Sequence, residues 1–323
     1  MQQNEGTEMK VLVLGDCGFV GSAFAKRLVV DGHTVTGVDI RSDLTREYHH
    51  IIDDMRRFMT RIEPHTYELI IHCAATVGGR LTIDGDPLAV ATNLSLDAEF
   101  FNWICRSKKR DQHVVYFSSP AAYPISLQRR NGHQLLSEDL LTFDRTDVWG
   151  VPDQSYGFAK LAGEYLAHKA VDDYQCNVVI YRPFGGYGEG QSYDYPFPSI
   201  IRRVVNREQP IVVWGSGEQI RDFIHINDIV EAVLKTYDKL PVGSVLNLGT
   251  GRGTSFRELA LAALLLAGDT SVVKNDATKP EGVFARVADV AKMSQWYVPK
   301  ISLHTGIHWM LKHLREVLTL ADS

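Results

Sequence analysis

Tyr156 and Lys160 stand four residues apart at the start of a helix that apolar spacing predicts over 157–171, Tyr156 immediately before it, so the two share one face. A free phenol titrates near about 10. A neighbouring ammonium favours phenolate, which would make Tyr156 a usable base near neutrality and its protonated form a usable acid. Ser119 lies just past a predicted strand, 113–118, where a sheet of parallel strands binds its ligands, and could hold the same substrate oxygen. Earlier in the chain, Gly15, Gly18 and Gly21 form GDCGFVG between a strand, 10–14, and a helix opening at Phe19. Glycines at that spacing permit a tight turn and let backbone approach a pyrophosphate resting on the helix N-terminus. Asp39 follows Gly21 by 18 residues, where a carboxylate accepts from both hydroxyls of an adenosine ribose. It would repel a 2′-phosphate, which favours NAD over NADP, although Arg41 stands close by. An oxidised nicotinamide would add a second positive charge beside Tyr156.

The elements that position these groups follow from periodicity. Short β-branched runs at 10–14, 34–39, 69–73, 113–118 and 177–181 alternate with helical spacing at 19–31, 88–106 and 157–171. Such alternation predicts an α/β fold of the Rossmann type, a doubly wound parallel sheet with right-handed crossovers. Residues 183–198 are rich in Gly, Pro and Tyr and read as loop. A helix is expected over 224–237, a strand returning to the sheet at 244–248, and helices at 256–266 and 307–320. The division that follows is a dinucleotide-binding domain, 9–182 plus 223–250, and a smaller discontinuous C-terminal lobe, 183–222 plus 251–323, with a cleft between them; 1–8 read as a flexible tail.

Composition sets the outer limits. The chain has 323 residues, 45% apolar and 23% charged, which suits a folded protein with a sizeable core. Lys plus Arg number 34 and Asp plus Glu 39, so the net charge of −5 gives no broad grip on nucleic acid or anionic lipid. No run reaches the roughly 20 apolar residues of a membrane span. The N-terminus lacks a basic start followed by an apolar stretch, so export is not expected. Cys17, Cys73, Cys105 and Cys176 show no CxxC, and the histidines no HExxH, which predicts reduced thiols, no metal and a cytoplasmic protein.

Taken together, GxxGxxG, Ser119 and YxxxK resemble the extended short-chain dehydrogenase/reductases, specifically the nucleotide-sugar epimerase/dehydratase family. The similarity continues through LIIHCAA (69–75), RPFGGYG (182–188), VVWGSGEQIRDFIHINDIVEA (212–232) and VLNLGTG (245–251). KPEG (279–282) with Arg286, Asp289 and Lys292, and SSPAAYP (118–124), resemble the GDP-fucose synthase and GDP-mannose 3,5-epimerase branch. The resemblance implies a catalytic triad of Ser119, Tyr156 and Lys160. It implies NAD held by the glycine turn with Phe19 and Val20, by Asp39, by Asp54 and Met55 near the adenine, by Ala74 and Ala75 at the nicotinamide ribose, and by Pro183. Arg221 and Arg286 would clasp the diphosphate of a nucleoside-diphosphate sugar, Trp214 would line the base pocket, and Gly185 replaces a usual Asn at the sugar. A homodimer through the helices near 88–106 and 157–171 is implied as well.

One departure bears on the reaction. Relatives that move protons at C3, C5 or C6 place Glu or Cys two residues before the Tyr of SSxxxYP; here that position is Ala121, and a methyl group does no acid–base work. The later loop, 191–196, offers Tyr193 and Asp194 but no His or Lys. What remains suits NAD-dependent epimerisation at a single carbon, C4 first, with GDP-sugars slightly favoured. Reduction of a 4-ketosugar nucleotide by NAD(P)H is the alternative; a 3,5-epimerase, a 4,6-dehydratase and a non-catalytic scaffold fit less well. Small residues at Ala121, Ala122, Gly185 and Gly186 would leave room for a sugar to turn, or simply pack backbone. The polar stretch 125–155, with Arg129, Arg130 and Trp149, reads equally as a lid or a surface insertion, and His225 and Asp228 as structural.

Overall fold

The computed structural model describes residues 8–43, 45–78, 88–107, 109, 111–143 and 150–321. Strand β1 (Lys10–Leu14) shows how the sheet is built. Val11 and Val13 face one core with Leu69, Ile71, Val115 and Val179. Leu12 and Leu14 face another with Ile70, Val114, Tyr116 and Ile180. A strand alternates its side chains between faces, so an unbroken apolar run requires cover on both sides.

Seven strands meet those terms in the order β3 (His49–Ile52), β2 (Thr34–Asp39), β1, β4 (Leu69–His72), β5 (His113–Phe117), β6 (Asn177–Pro183) and β11 (Val245–Leu248), all parallel. Helix α1 (Phe19–Val30) covers the first face through Phe24, Ala25 and Leu28, together with α6 (Ile226–Thr236). The other face takes α2 (Met55–Met59), α3 (Ala89–Ile104) and α4 (Gln154–Tyr174). The chain winds outward from β1 through β2 to β3, then returns and winds the other way from β4. The crevice at the C-terminal ends of β1 and β4 is therefore a topological switch point, where such sheets bind ligands.

A third core gathers α5 (Pro196–Val205), α7 (Phe256–Ala267) and α8 (Leu303–Ala321) around Tyr187, Ile211 and Phe223. Short pairings complete this region: β7 (Gly186–Tyr187) with β10 (Ile224–His225), β8 (Ile211–Trp214) with β13 (Val273–Asp276), and β9 (Ile220–Asp222) between β12 (Gly253–Ser255) and β14 (Ala285–Arg286). Among the described residues no helix is long and apolar enough to cross a membrane.

The expected alternation of strands and helices is present, with three differences. Residues 183–198 are not all loop: Gly186–Tyr187 pairs with Ile224–His225, and α5 opens at Pro196. Phe197, Ile200, Ile201 and Val204 carry the helical apolar spacing of α5, behind a proline suited to a first turn. The expected 224–237 helix starts at Ile226, because Ile224 and His225 are extended and the His225 side chain caps Asn227 N. Strand β3 and helix α2 went unseen in a polar stretch. Of the tail, only Glu8 lies among the described residues, and its carboxylate accepts from Thr34 Oγ1.

Candidate active site

Two of the three glycines in the β1–α1 turn are there for packing. Gly15 has φ +83°, and a Cβ on it would lie 2.7 Å from Ala74 N; on Gly21 it would lie 2.2 Å from Gly15 O. Gly18 differs: apart from Gly15 O at 3.1 Å, its Cβ would meet only an Arg41 nitrogen at 3.9 Å. It is also the N-cap of α1 and supplies no side-chain cap. A methyl there would occupy the space a pyrophosphate needs on the free helix amides, so the residues fit a dinucleotide. Gly18→Ala should therefore fold as the parent does yet bind NAD at least about tenfold more weakly, roughly 1.4 kcal/mol, in a fluorescence titration. Gly21→Ala should lower the melting temperature as well.

Asp39, at the end of β2, accepts from Cys17 N at 3.2 Å and Arg41 N at 2.9 Å, and Arg41 Nε lies 3.3 Å from it. The carboxylate thus faces the glycine turn, with Arg41 laid over it. Asp54 caps α2 by accepting from Arg56 N at 2.9 Å, which sets Met55 beside it. Asp16, Cys17 and His50 bring ligand-type atoms within 4.8 Å of one another. These atoms are already engaged: His50 Nδ1 lies 2.8 Å from Asp16 and His50 Nε2 3.1 Å from Arg41 O.

A cleft of about 1120 Å³ runs from this turn between the sheet and the third core. It is lined by Gly15, Gly18, Phe19, Val20, Gly21, Asp39, Asp54, Met55, Ala74, Ala75 and Pro183, then by Ser119, Tyr156 and Lys160, and finally by Gly185, Trp214, Arg221 and Arg286. Every site residue expected from the sequence is therefore on one wall or another of a single cleft.

Ser119 ends the chain segment after β5 and caps the turn Pro120–Ala122, accepting from Ala121 N at 3.1 Å. Its hydroxyl is hydrogen-bonded to that of Tyr156, one turn into α4. Lys160 Nζ donates to Phe117 O at 3.0 Å and sits 5.1 Å from the centre of the Tyr116 ring. The phenol of Tyr156 is not acidic in this arrangement. Burial pushes it up to about 12, the Ser119 hydrogen bond opposes that, Asp97 adds to it and the Arg286 charge reduces it. Lys160 is not among the groups that lower it; its ammonium donates to the Phe117 carbonyl.

Arg221 and Arg286 are direct partners across β9 and β14. Both side chains line the cleft, and guanidinium forks suit phosphate oxygens. Arg286 is aimed by groups the sequence did not single out: Asp153 at 2.8 Å and Gln128 Oε1 at 2.7 Å. Asp153 stands three residues before Tyr156, a position that could have signalled it. Gln128 gave no signal, since it is a fully buried residue inside a polar stretch. Tyr195 also lines the cleft, its phenol raised by burial and by the neighbouring Tyr156.

The stretch 125–143 acts as a strut. Leu136 is buried, forms a parallel bridge with Ala288, and donates its N–H to Val287 O at 2.9 Å. Trp149 lies outside the described residues. Gly185 and Gly186 serve packing, since Cβ atoms there would meet Asp222 O at 2.5 Å and Ile229 Cδ1 at 3.0 Å. Ala122 is buried in a core with Tyr123 and Phe184. Asp228 is structural as expected, accepting from Tyr297 OH at 2.6 Å and Lys300 N at 2.9 Å.

Comparison with known proteins agrees with this geometry. Residues 11–249 match the family described as NAD dependent epimerase/dehydratase. Among curated proteins, GDP-L-fucose synthase 1 of Arabidopsis thaliana is 27% identical, over 94% of both chains. The GDP-L-fucose synthase of Escherichia coli is 25% identical, over 95% of this chain and 98% of its own. Among solved structures, a UDP-glucose 4-epimerase of Thermotoga maritima superposes with a TM-score of 0.81 at 23% identity, covering 96% of this chain and 100% of that one. MoeE5, solved with UDP-glucose and NAD, gives 0.80 at 28% identity over 96% and 99%. A glycine turn at a helix N-terminus, an acid facing that turn and a Ser–Tyr–Lys group line one cleft, and the family model covers most of the sequence: the chain belongs to the NAD-dependent epimerase/dehydratase family of nucleotide-sugar enzymes, with NAD as its cofactor.

Proposed function

We propose that this enzyme epimerises a nucleoside-diphosphate sugar at one carbon, C4, through a transient 4-ketosugar, with NAD recycled. The observation that carries the reading is Ala121. It lines the cleft beside Ser119 and Tyr156, is 4% exposed, and puts a methyl group where a second acid–base residue would stand. Of the carboxylates around Tyr156, Asp153 is paired with Arg286, and Asp97 is bonded to His72 and Tyr116 behind the cleft wall. Tyr156 is then left to serve a single sugar hydroxyl. The catalytic and binding roles given to Ser119, Tyr156, Lys160 and the cofactor-binding residues belong to this proposal.

In this reading Arg221 and Arg286 hold the diphosphate while the sugar is free to turn. Ser119 holds the reacting hydroxyl, Tyr156 removes its proton, and the same phenol returns it once the opposite face is presented. Bound NAD supplies a reversible hydride acceptor. Trp214, half-buried with Lys279 Nζ 5.8 Å from its ring centre, offers an indole face to the base. The GDP preference rests on the fucose-synthase relatives. A cytoplasmic homodimer belongs to the same proposal: α3 packs along α4, and Phe158 and Tyr165 of α4 remain exposed.

The competing reading is a ketosugar reductase, favoured by the names of the sequence relatives and by Arg41 lying over Asp39. One experiment separates them. The protein is incubated in D₂O with GDP-, UDP-, CDP- and dTDP-sugars, uronates and heptoses included, and followed by NMR. The expected result is a new C4 stereoisomer with no added nicotinamide cofactor and no deuterium at C3 or C5. Stoichiometric NAD(P)H consumption with a 4-ketosugar nucleotide would replace epimerase by reductase. Deuterium at C3 or C5 would contradict the inference from Ala121.

A further inference from the structure

Helix α3 carries a carboxylate that the reading above leaves without a task. Asp97 is 1% exposed. Its Oδ1 lies 3.0 Å from His72 Nε2, and its Oδ2 accepts from Tyr116 OH at 2.6 Å. A buried carboxylate needs a compensating cation or it takes up a proton. His72 is no such cation, since burial holds its imidazole below the ordinary value. Burial alone would raise Asp97. The charge of Lys160, then the bonds from His72 and Tyr116, more than offset that and hold it below the usual carboxylate range.

The two charges flank one side chain. Tyr116 spans them: its ring lies 5.1 Å from Lys160 Nζ, and its hydroxyl is on Asp97. The helices close at Gly163, three residues after Lys160 and so on the same face. A Cβ there would come 1.8 Å from Tyr116 OH and 2.6 Å from Asp97 Oδ2. The other groups facing this spot are accounted for. Cys73 on the β4 side is a thiol that burial keeps protonated. Glu164, further along α4, is bidentate with Arg182. Tyr156, Ser119, Tyr195 and Arg286 lie on the cleft side.

We propose that Asp97 is the buried counter-ion of Lys160 and a positioning residue for the chemistry at Tyr156, offsetting the ammonium so that the phenol keeps its proton until the site is filled. The proposal rests on the assignment of Tyr156 as the acid–base group. Its first consequence is a shifted pH profile. Removing the negative charge leaves Lys160 uncompensated, and a neighbouring uncompensated cation favours phenolate. Asp97→Asn should move the rising limb of kcat/KM about one pH unit lower. Tyr116→Phe removes a bond from Asp97 but leaves its charge, and should leave the limb in place. An unmoved limb in a folded Asp97→Asn protein overturns the proposal, as does an equal shift in Tyr116→Phe.

A second arm needs no turnover. Lys160→Met strands the Asp97 carboxylate and should lower the melting temperature. Adding Asp97→Asn should recover most of that loss, because residues that act on each other are not additive. A double variant that melts no higher than Lys160→Met alone overturns the pairing. This arm decides the question if Asp97→Asn is too unstable to assay. It also decides it if the parent turns over no sugar nucleotide, in which case the proposed function fails separately.

Discussion

Tyr156→Phe should lower kcat by a factor of about 10² to 10⁴, the usual worth of a positioned acid–base group, while NAD and sugar-nucleotide dissociation constants stay within about threefold. Only one oxygen is lost. The phenol sits at the wall of the cleft, hydrogen-bonded to Ser119, with Lys160 one turn along α4. Phe fills the same space, so α4 should pack as before. The pH dependence carries the sign. Burial pushes the phenol up to about 12, so at neutral pH the base is a minority species. The rate of hydroxyl oxidation should therefore climb with pH in the parent. The limb should break below that value in the loaded enzyme, where a positive nicotinamide ring favours phenolate. The residual rate of Tyr156→Phe should be flat over the same range. Steady-state kinetics from pH 6 to 10 would show both. A variant that turns over at the parent's rate would remove Tyr156 from its role.

How much of this site could be read from the residues depends on what kind of signal each carries. Gly15, Gly18, Gly21, Asp39 and the YxxxK pair were legible because backbone geometry fixes their spacing: one tight turn, the next strand end, one helical face. The β-branched runs were legible because a strand buried on both faces has little compositional freedom. Asp97, Gln128 and Arg182 were not legible in this way. Each is a polar residue buried by contacts with segments far away in the chain, and nothing in its immediate neighbours marks it as internal. Gln128 reaches Arg286 across 158 positions, and Tyr123 reaches Asn247 across 124. The strut 125–143 was ambiguous for the same reason, since its buried Leu136 answers to Val287 and Ala288. The direction of Lys160 was also out of reach: spacing places its Cα on the face of Tyr156 but does not reveal the Phe117 carbonyl that receives its ammonium.

The largest effect on stability is expected at the pair that joins these pieces. Arg182 and Glu164 are each fully buried and doubly bonded, Nε to Oε1 at 2.8 Å and an outer nitrogen to Oε2 at 2.6 Å. The same guanidinium donates to Tyr123 OH at 2.8 Å and Leu141 O at 3.1 Å, and Ser118 Oγ donates to Glu164. The network thus ties α4, the turn after β5, the end of β6 and the strut to one another. Glu164 follows Tyr156 by two turns on α4, and Ser118 precedes Ser119. Glu164→Leu leaves an unpaired buried guanidinium and should cost about 3–5 kcal/mol, read as a fall in the urea midpoint. Glu164→Leu with Arg182→Met removes both charges and should recover most of that loss, because replacing a buried pair by apolar groups is often close to neutral. Recovery should not extend to turnover. Without the fork, Ser118 and Tyr123 lose the partners that set the turn carrying Ser119, and kcat should stay at least about tenfold below the parent, since small displacements of a positioned group are costly. A double variant that regained the parent's kcat would mean that packing alone, rather than this buried ion pair, registers Ser119 against Tyr156.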